Sequence, residues 1–521
     1  MILDDEPRPN PVSADARTTL DEIFRRTAAR RPQGLALADA PNRSAFTDGA
    51  PRYLTFAQAE AAVVALADRL QRLGLPADSV VGVQLAHTVE SIVTFLAVLR
   101  AGLIAAPLPL LWRRAECVAA LSQVGAKALI TCARVGETSH ATLAMEVAAA
   151  LFPVRYVCAF GDELPEGVIP LDDIFAPAVP PAMPFTAVER NGPPAAHLAA
   201  VTFDTTADGV VALARSHVEL LAGGVAGVLE ARMAPESMLL SGLPLSSFAG
   251  LALCVVPWLL TGGALLLHQP FDRAVLAAQL EDLRCDHAVL PGPLAGRLAD
   301  AQLLSATHGL KSVLGVWRAP ERLVSSPSWT LPDVTLIDVS VFGETALIAA
   351  ARREGRPVPF AAGPVTAPYR AAGAVTVCEI ARTKAGTLAF RGPMVPRRAF
   401  PPGGERTTFG SRIDEEHFID TGFTGRIDAT TRDLIVTGPP AGLVSVGGYR
   451  FSLRELQDEV ARTDGDSSIA AFPDAFAGHR LAGQAADRAS MREALVERGA
   501  NPLLVRAFRD RAASIRPAGK A

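Results

Sequence analysis

None of the six cysteines forms a C-x-x-C pair, and the nine histidines never cluster at metal-ligand spacing. Scattered residues such as Cys117, Cys132, Cys158, Cys254, Cys285 and Cys378 read as reduced, buried thiols of a cytoplasmic protein. No G-x-G-x-x-G follows a strand pattern and no G-x-S-x-G elbow occurs, which argues against a dinucleotide dehydrogenase and a serine hydrolase. The opening MILDDEPRPN is acidic and carries no apolar h-region, so no secretory signal is expected. Neither sign of charge dominates, and a net charge of −4 offers nothing to nucleic acid or an anionic membrane. One uncharged run, Ala249 to Leu267, approaches membrane-spanning length. Pro257, Thr261, Gly262 and Gly263 break it, so the expectation is no membrane span but a buried helix, a turn and a strand over Ala264–Leu267.

What is present is a globular composition, 49 % hydrophobic and 20 % charged, on a chain long enough for two to four domains. Helical and extended patterns alternate. Thr19-Leu20-Asp21-Glu22 is a capping box ahead of an apolar face of Leu20, Ile23, Phe24, Thr27 and Ala28. Thr55 caps a second amphipathic helix, ended by Gly74 and Pro76. Leu35–Ala38, Val80–Leu85, Leu103–Ala106 and Ala128–Thr131 read as strands, and Val89–Arg100 as a helix. Strand, helix, strand with short joints is the unit of a parallel sheet. His287–Leu290, Val313–Val316 and Val334–Val339 are further strands, and 161–196 is proline-rich and irregular. From Pro357 to Phe400 the pattern turns to short strands with Gly and Pro. The expected fold is α/β. A large domain over 1–437 has mainly parallel sheets and a β-rich subdomain at about 357–437, and a small α/β domain covers 438–521.

The stretch Val201 to His217 is the candidate functional element. An apolar strand end, Ala199-Ala200-Val201, leads into a turn with Thr205 and Thr206, and Ser216-His217 opens a helical pattern. Strand, hydroxyl-rich turn and helix is how a chain offers backbone N–H groups to phosphate. Yet Gly209 is the loop's only glycine, no lysine is present, and Asp204 and Asp208 would repel a triphosphate. Taken alone, a polar surface turn is the simpler reading.

Other blocks follow in order: Leu243-Pro244-Leu245-Ser246-Ser247; Val341-Phe342-Gly343-Glu344-Thr345-Ala346; Asp420-Thr421-Gly422-Phe423; Gly425-Arg426-Ile427-Asp428; and Gly447-Gly448-Tyr449-Arg450-Phe451 with Glu455. With the loop and the opening TTLDEIFRRTAARRP, this set resembles the adenylate-forming superfamily of acyl- and aryl-CoA synthetases, carrier-protein adenylation domains and luciferases, over nearly the whole chain. The resemblance implies an acyl-CoA synthetase-like fold and a two-step activity. A small carboxylic acid attacks ATP with Mg²⁺ to give an acyl-adenylate, and a thiol of CoA or a phosphopantetheine carrier then displaces AMP.

It also implies roles. Thr205, Thr206, Phe342, Gly343, Glu344, Thr345, Thr421 and Gly422 fall in the nucleotide blocks, with Phe342 positioned either to stack on adenine or as core. Glu344 is a candidate substitute metal ligand, since Ala346 stands where the Mg²⁺ carboxylate belongs. Ser247 and Trp317 fall beside the acyl pocket, Gly447 and Gly448 at the thiol channel, and Lys520 is the candidate catalytic lysine. Against the pattern, Val210 takes the place of the loop lysine, Phe423 that of the ribose carboxylate, Pro439 that of an arginine and Gly442 that of the hinge aspartate. Two readings follow. One is a divergent ATP-dependent acid–thiol ligase, and the other a catalytically inactive relative that binds an acyl chain, a carrier or a partner protein. The sequence leaves an oligomer open.

Overall fold

Val80–Gln84, Ile104–Pro107, Ala128–Cys132 and Tyr156–Phe160 are mostly apolar and buried along almost their whole length rather than on alternate residues, as strands covered on both faces must be. They pair in parallel within a seven-stranded sheet. The computed structural model describes residues 18–176, 188–304, 309–369, 373–396, 400–401 and 412–509. A second, eight-stranded sheet runs in parallel from Thr335–Phe342 through Ser312–Trp317, His287–Pro291, Leu239–Ser241 and Leu265–Leu267 to Leu35–Ala38. Antiparallel strands Ala346–Ala351 and Tyr53–Thr55 close its two edges.

Helix starts follow their local signals. The Thr19 side chain accepts the Glu22 N–H ahead of Leu20–Arg30, and Thr55 and Gln58 form a reciprocal capping box ahead of Phe56–Arg72. Helix Val89–Arg100 is buried along its whole length. One apolar core runs through both sheets, with Phe24, Phe56 and Trp258 in mutual ring contact. The uncharged run is buried: Phe248 to Thr261 is helical with a π turn over Leu251–Val255, Gly262 is left-handed, and Leu265–Leu267 is a strand. Among the described residues no helix is long and apolar enough to cross a membrane.

Five antiparallel strands form a further sheet, reaching from Gly363–Tyr369 to Leu434–Gly438. Beyond it the order Tyr449–Ser452, Leu443–Val446, Gly478–Gln484, Ser468–Asp474 makes a four-stranded antiparallel sheet. Helices Leu453–Thr463, Arg488–Glu497 and Pro502–Ala507 pack on it around a separate core that includes Leu495 and Phe508.

The stretch Val201–His217 departs from expectation. Its turn is two residues long, because Leu198–Thr206 and Gly209–Ser216 zip into an antiparallel hairpin in which Asp204 faces Val211, Thr205 faces Val210 and Thr206 faces Gly209. Apolar Val210 and Val211 favour that ladder where a glycine-rich loop would stay open. Only Ala200 pairs onward, with Ala105, so the tip projects past the sheet toward the C-terminal strands. The helix is as expected: Ser216 and Glu219 form its capping box at His217.

Candidate functional site

A cleft of about 730 Å³ opens between the hairpin tip, the ends of the parallel strands and the C-terminal sheet. Thr205, Asp204, Trp317, Arg318, Gly343 and Glu344 line one wall, and Gly447, Gly448, Tyr449 and Arg450 line the other. Trp317 stands in the cleft wall. Its indole covers Gly292, where a Cβ would stand 2.4 Å from the ring, and Nε1 donates to Asp338 at 2.9 Å. Arg352 holds the other oxygen of Asp338 at 2.8 Å, so the indole is fixed from behind.

The hairpin end of the cleft is occupied by charge. Arg450 Nη1 lies 3.1 Å from Asp204 Oδ1, with the two side chains 12 % and 6 % exposed. Gly343 has a φ of +63°, and a Cβ there would come within 2.3 Å of Asp204 Oδ2 and 3.0 Å of Arg450 Nη1. The ion pair therefore fills the gap between the hairpin and the Phe342–Thr345 turn. The Arg450 guanidinium also lies 4.9 Å above the Phe423 ring. Glu344 accepts the Phe248 N–H and stands 3.7 Å from Arg318 Nη1. Burial raises its carboxyl above the usual range, and Arg318 offsets this only in part.

Behind this wall lies Arg215, fully buried. It donates to the Thr345 carbonyl at 2.9 Å and the Met394 carbonyl at 3.2 Å, and its guanidinium stacks 3.7 Å from the Phe248 ring. Burial pushes it down to about 10, still charged at neutral pH. Among the described residues no group of three His, Cys, Asp or Glu side chains could hold a metal ion.

Several assigned side chains point elsewhere. Phe342 is not available to adenine. It is wholly buried against Phe390, Phe423 and Phe360, at centroid distances of 4.6, 5.4 and 6.3 Å. The alternative, a core residue, is the observed state. Thr206 Oγ1 is spent inside the turn, donating to the Gly209 carbonyl at 2.9 Å and accepting the Asp208 N–H at 3.2 Å. Thr421 donates to the Leu388 carbonyl at 2.7 Å, and the Gly422 N–H goes to Asp420, so both serve the five-stranded sheet. Ser247 Oγ accepts the Gly250 N–H, while its neighbour Ser246 faces the cleft. Thr345 is buried with Oγ1 unpartnered. Lys520 lies outside the described residues. The cations that do the work here, Arg215, Arg318 and Arg450, carried no assigned role in the sequence. The only signal for the last two was an arginine beside an aromatic residue in an otherwise apolar block.

The family model "AMP-binding enzyme" matches residues 24–325. The chain belongs to the AMP-binding enzyme family. Solved structures agree with this on the fold. Amide bond synthetase McbA from Marinactinospora thermotolerans is 21 % identical with a TM-score of 0.69, covering 92 % of this chain and 94 % of that one. The apo structure of MbtA from Mycobacterium smegmatis is 19 % identical with a TM-score of 0.63, covering 95 % and 91 %. MatB from Rhodopseudomonas palustris, in its apo form, is 20 % identical with a TM-score of 0.60, covering 93 % of each. Long-chain fatty acid transport protein 1 from Bos taurus is 32 % identical over 162 residues, which is 31 % of this AMP-binding family member but only 23 % of the bovine protein.

Proposed function

We propose that this AMP-binding family member binds an acyl or aryl ligand, free or on a carrier, and does not run ordinary ATP-driven adenylation. The observation that carries the reading is the Asp204–Arg450 ion pair seated against Gly343, in the gap where the resemblance puts the triphosphate. A nucleotide entering there would displace Arg450 and face two carboxylates, Asp204 and Glu344, with no loop lysine beside them. Adenine would find Phe342 sealed in a ring cluster. The ribose would find apolar Phe423, since Asp420 is committed to the Gly422 N–H and the Thr387 hydroxyl. For Mg²⁺, the one carboxylate at the turn, Glu344, is engaged by Phe248 and Arg318. ATP and Mg²⁺ do not fit this set of residues. Losing a single preorganised donor typically costs ~10²–10³ in rate, and here several are gone together.

One feature favours the second reading, a ligase with relocated contacts: Arg318 and Arg450 converge beside Thr205 and Glu344. In that reading CoA or a phosphopantetheine carrier would be the acceptor, reaching the cleft past Gly447 and Gly448. Its cost is that Arg450 must first leave Asp204. In either reading residues 438–521 are the small domain, and the buried, unpaired thiols suit a cytoplasmic setting. Calorimetry with ATP·Mg²⁺ at millimolar concentration separates the two. No binding heat is expected, and micromolar affinity would overturn the proposal. Pyrophosphate exchange across a panel of carboxylic acids is expected to be silent.

A further inference from the structure

Behind the cleft wall lies a second, much smaller chamber of about 20 Å³. It is bounded by the ends of strands Val80–Gln84 and Ile104–Pro107, by helix Val89–Arg100 and by residues 244–246. Val83, Phe95 and Leu108 make its lining largely apolar, and the side chains that can hydrogen-bond there are His87, Ser91 and Ser246. Pro244 and Ser246 also line the large cleft, so this short turn is the partition between the two spaces.

His87 is the unusual member. Its ring is 3 % exposed, and Nδ1 has no hydrogen-bond partner among the described residues. Nε2 lies 3.1 Å from the Ser241 carbonyl oxygen and 2.9 Å from Ser241 Oγ. A carbonyl can only accept, so the ring proton belongs on Nε2; the other tautomer would set two lone pairs against each other. Nδ1 is then a bare acceptor. Ser241 is outside the chamber's lining, which leaves Nδ1 as the ring nitrogen on the chamber side. Burial holds the imidazole down to about 4, so it stays neutral near pH 7. The contact with Ser241 is not a nucleophile and its base. Ser241 is wholly buried, and its Oγ accepts the Leu243 N–H at 3.3 Å and donates to the Leu243 carbonyl at 3.1 Å.

A buried acceptor without a donor costs free energy, and the chemistry of the chamber restricts what can supply one. An anion would meet the Nδ1 lone pair. A cation would lose its hydration with no carboxylate on the lining to compensate it. A neutral O–H group meets neither objection. One water needs roughly 10–15 Å³ of such space and about two polar partners at the least. Ser91 Oγ donates to the Thr88 carbonyl at 2.7 Å and so keeps its lone pairs for a second bond. We propose that the chamber binds a single hydroxyl-bearing molecule, water or a small alcohol, which donates to His87 Nδ1 and takes its second hydrogen bond from or to Ser91 or Ser246. The site stands independently of what the large cleft binds.

Two measurements on the full, unmodified chain test it. A crystal structure at atomic resolution is expected to show a solvent peak about 2.7–3.2 Å from His87 Nδ1. Long-range ¹H–¹⁵N correlation spectra of ¹⁵N-histidine-labelled protein are expected to show His87 protonated on Nε2 alone at about pH 7. His87→Leu assigns the resonance and should lose the solvent peak, because the acceptor is gone. Soaking the crystals in methanol separates the two sources. A peak extended by a methyl group assigns a site that also takes alcohols, and an unchanged peak assigns one that takes water. Absence of a peak at Nδ1 in the unmodified chain, or a proton on Nδ1, would overturn the proposal.

Discussion

Breaking the Asp204–Arg450 pair is expected to loosen the C-terminal sheet from the hairpin without unfolding either. At 3.1 Å and an effective dielectric near 20, the direct attraction is about 5 kcal/mol. Much of that is offset by taking two charges out of water, so the net value of the pair is far smaller. Removing only one partner is costlier, because the other is left buried and unpaired. Asp204, 6 % exposed and facing Glu344, is the worse residue to strand. Arg450→Met is therefore expected to lower the opening free energy by about 3 kcal/mol. Asp204→Asn should cost about 1 kcal/mol, since an amide still accepts from Arg450 and the guanidinium keeps its place over Phe423. The double variant should lose less than the sum, with a coupling of about 1–2 kcal/mol. Native-state hydrogen exchange at amides of Leu443–Val446 and Tyr449–Ser452 reads the opening directly, and the core strand Val80–Gln84 serves as the internal control. Additive losses, with coupling below about 0.5 kcal/mol, would show that the pair does not hold the two surfaces together.

Two further outcomes follow from the same contacts. Burial holds His217 down to about 3 and His87 down to about 4, both well below the ordinary 6.5. Between pH 6.5 and those values the unfolded chain binds more protons than the folded one, so stability present above pH 6.5 is lost as pH falls. His217→Gln should flatten that slope, and an unchanged slope in urea titrations at stepped pH would remove His217 as a cause. Trp317→Ala should cost about 3 kcal/mol, near the low end for a large aromatic because the void opens to the cleft. It should also let bulkier acyl or aryl ligands bind. An unchanged ligand range by calorimetry would place the indole outside the pocket's working volume.

Elements whose cause is local were legible from residue order. Helix Val89–Arg100 and strand Leu35–Ala38 occupy the stretches that periodicity assigns them. The break at Gly262 separates helix from strand as its neighbours require. The Thr19, Thr55 and Ser216 caps lie within three residues of the N–H groups they satisfy. The hairpin is not legible in residue order, because its turn carries hydroxyls and acids, the usual signs of an open loop. What closes it is cross-strand pairing of Asp204 with Val211 and Thr205 with Val210, a preference of the partner strand. Phe342 was assigned by its block, yet three other phenylalanines from distant segments decide where its ring goes.

Residue order alone therefore determined the family, the alternation of strands and helices, and the loss of lysine from the phosphate loop. Lysine occurs only at 127, 311, 384 and 520, so nearly every cation in the chain is an arginine. Where those arginines would stand was a matter for the tertiary structure. Arg450 meets Asp204 across 246 positions of sequence, and Arg215 meets Thr345 across 130. An ion pair acts through space and leaves no spacing pattern along the chain. Only folding, which sets distance and excludes water, turned a missing lysine into a filled gap.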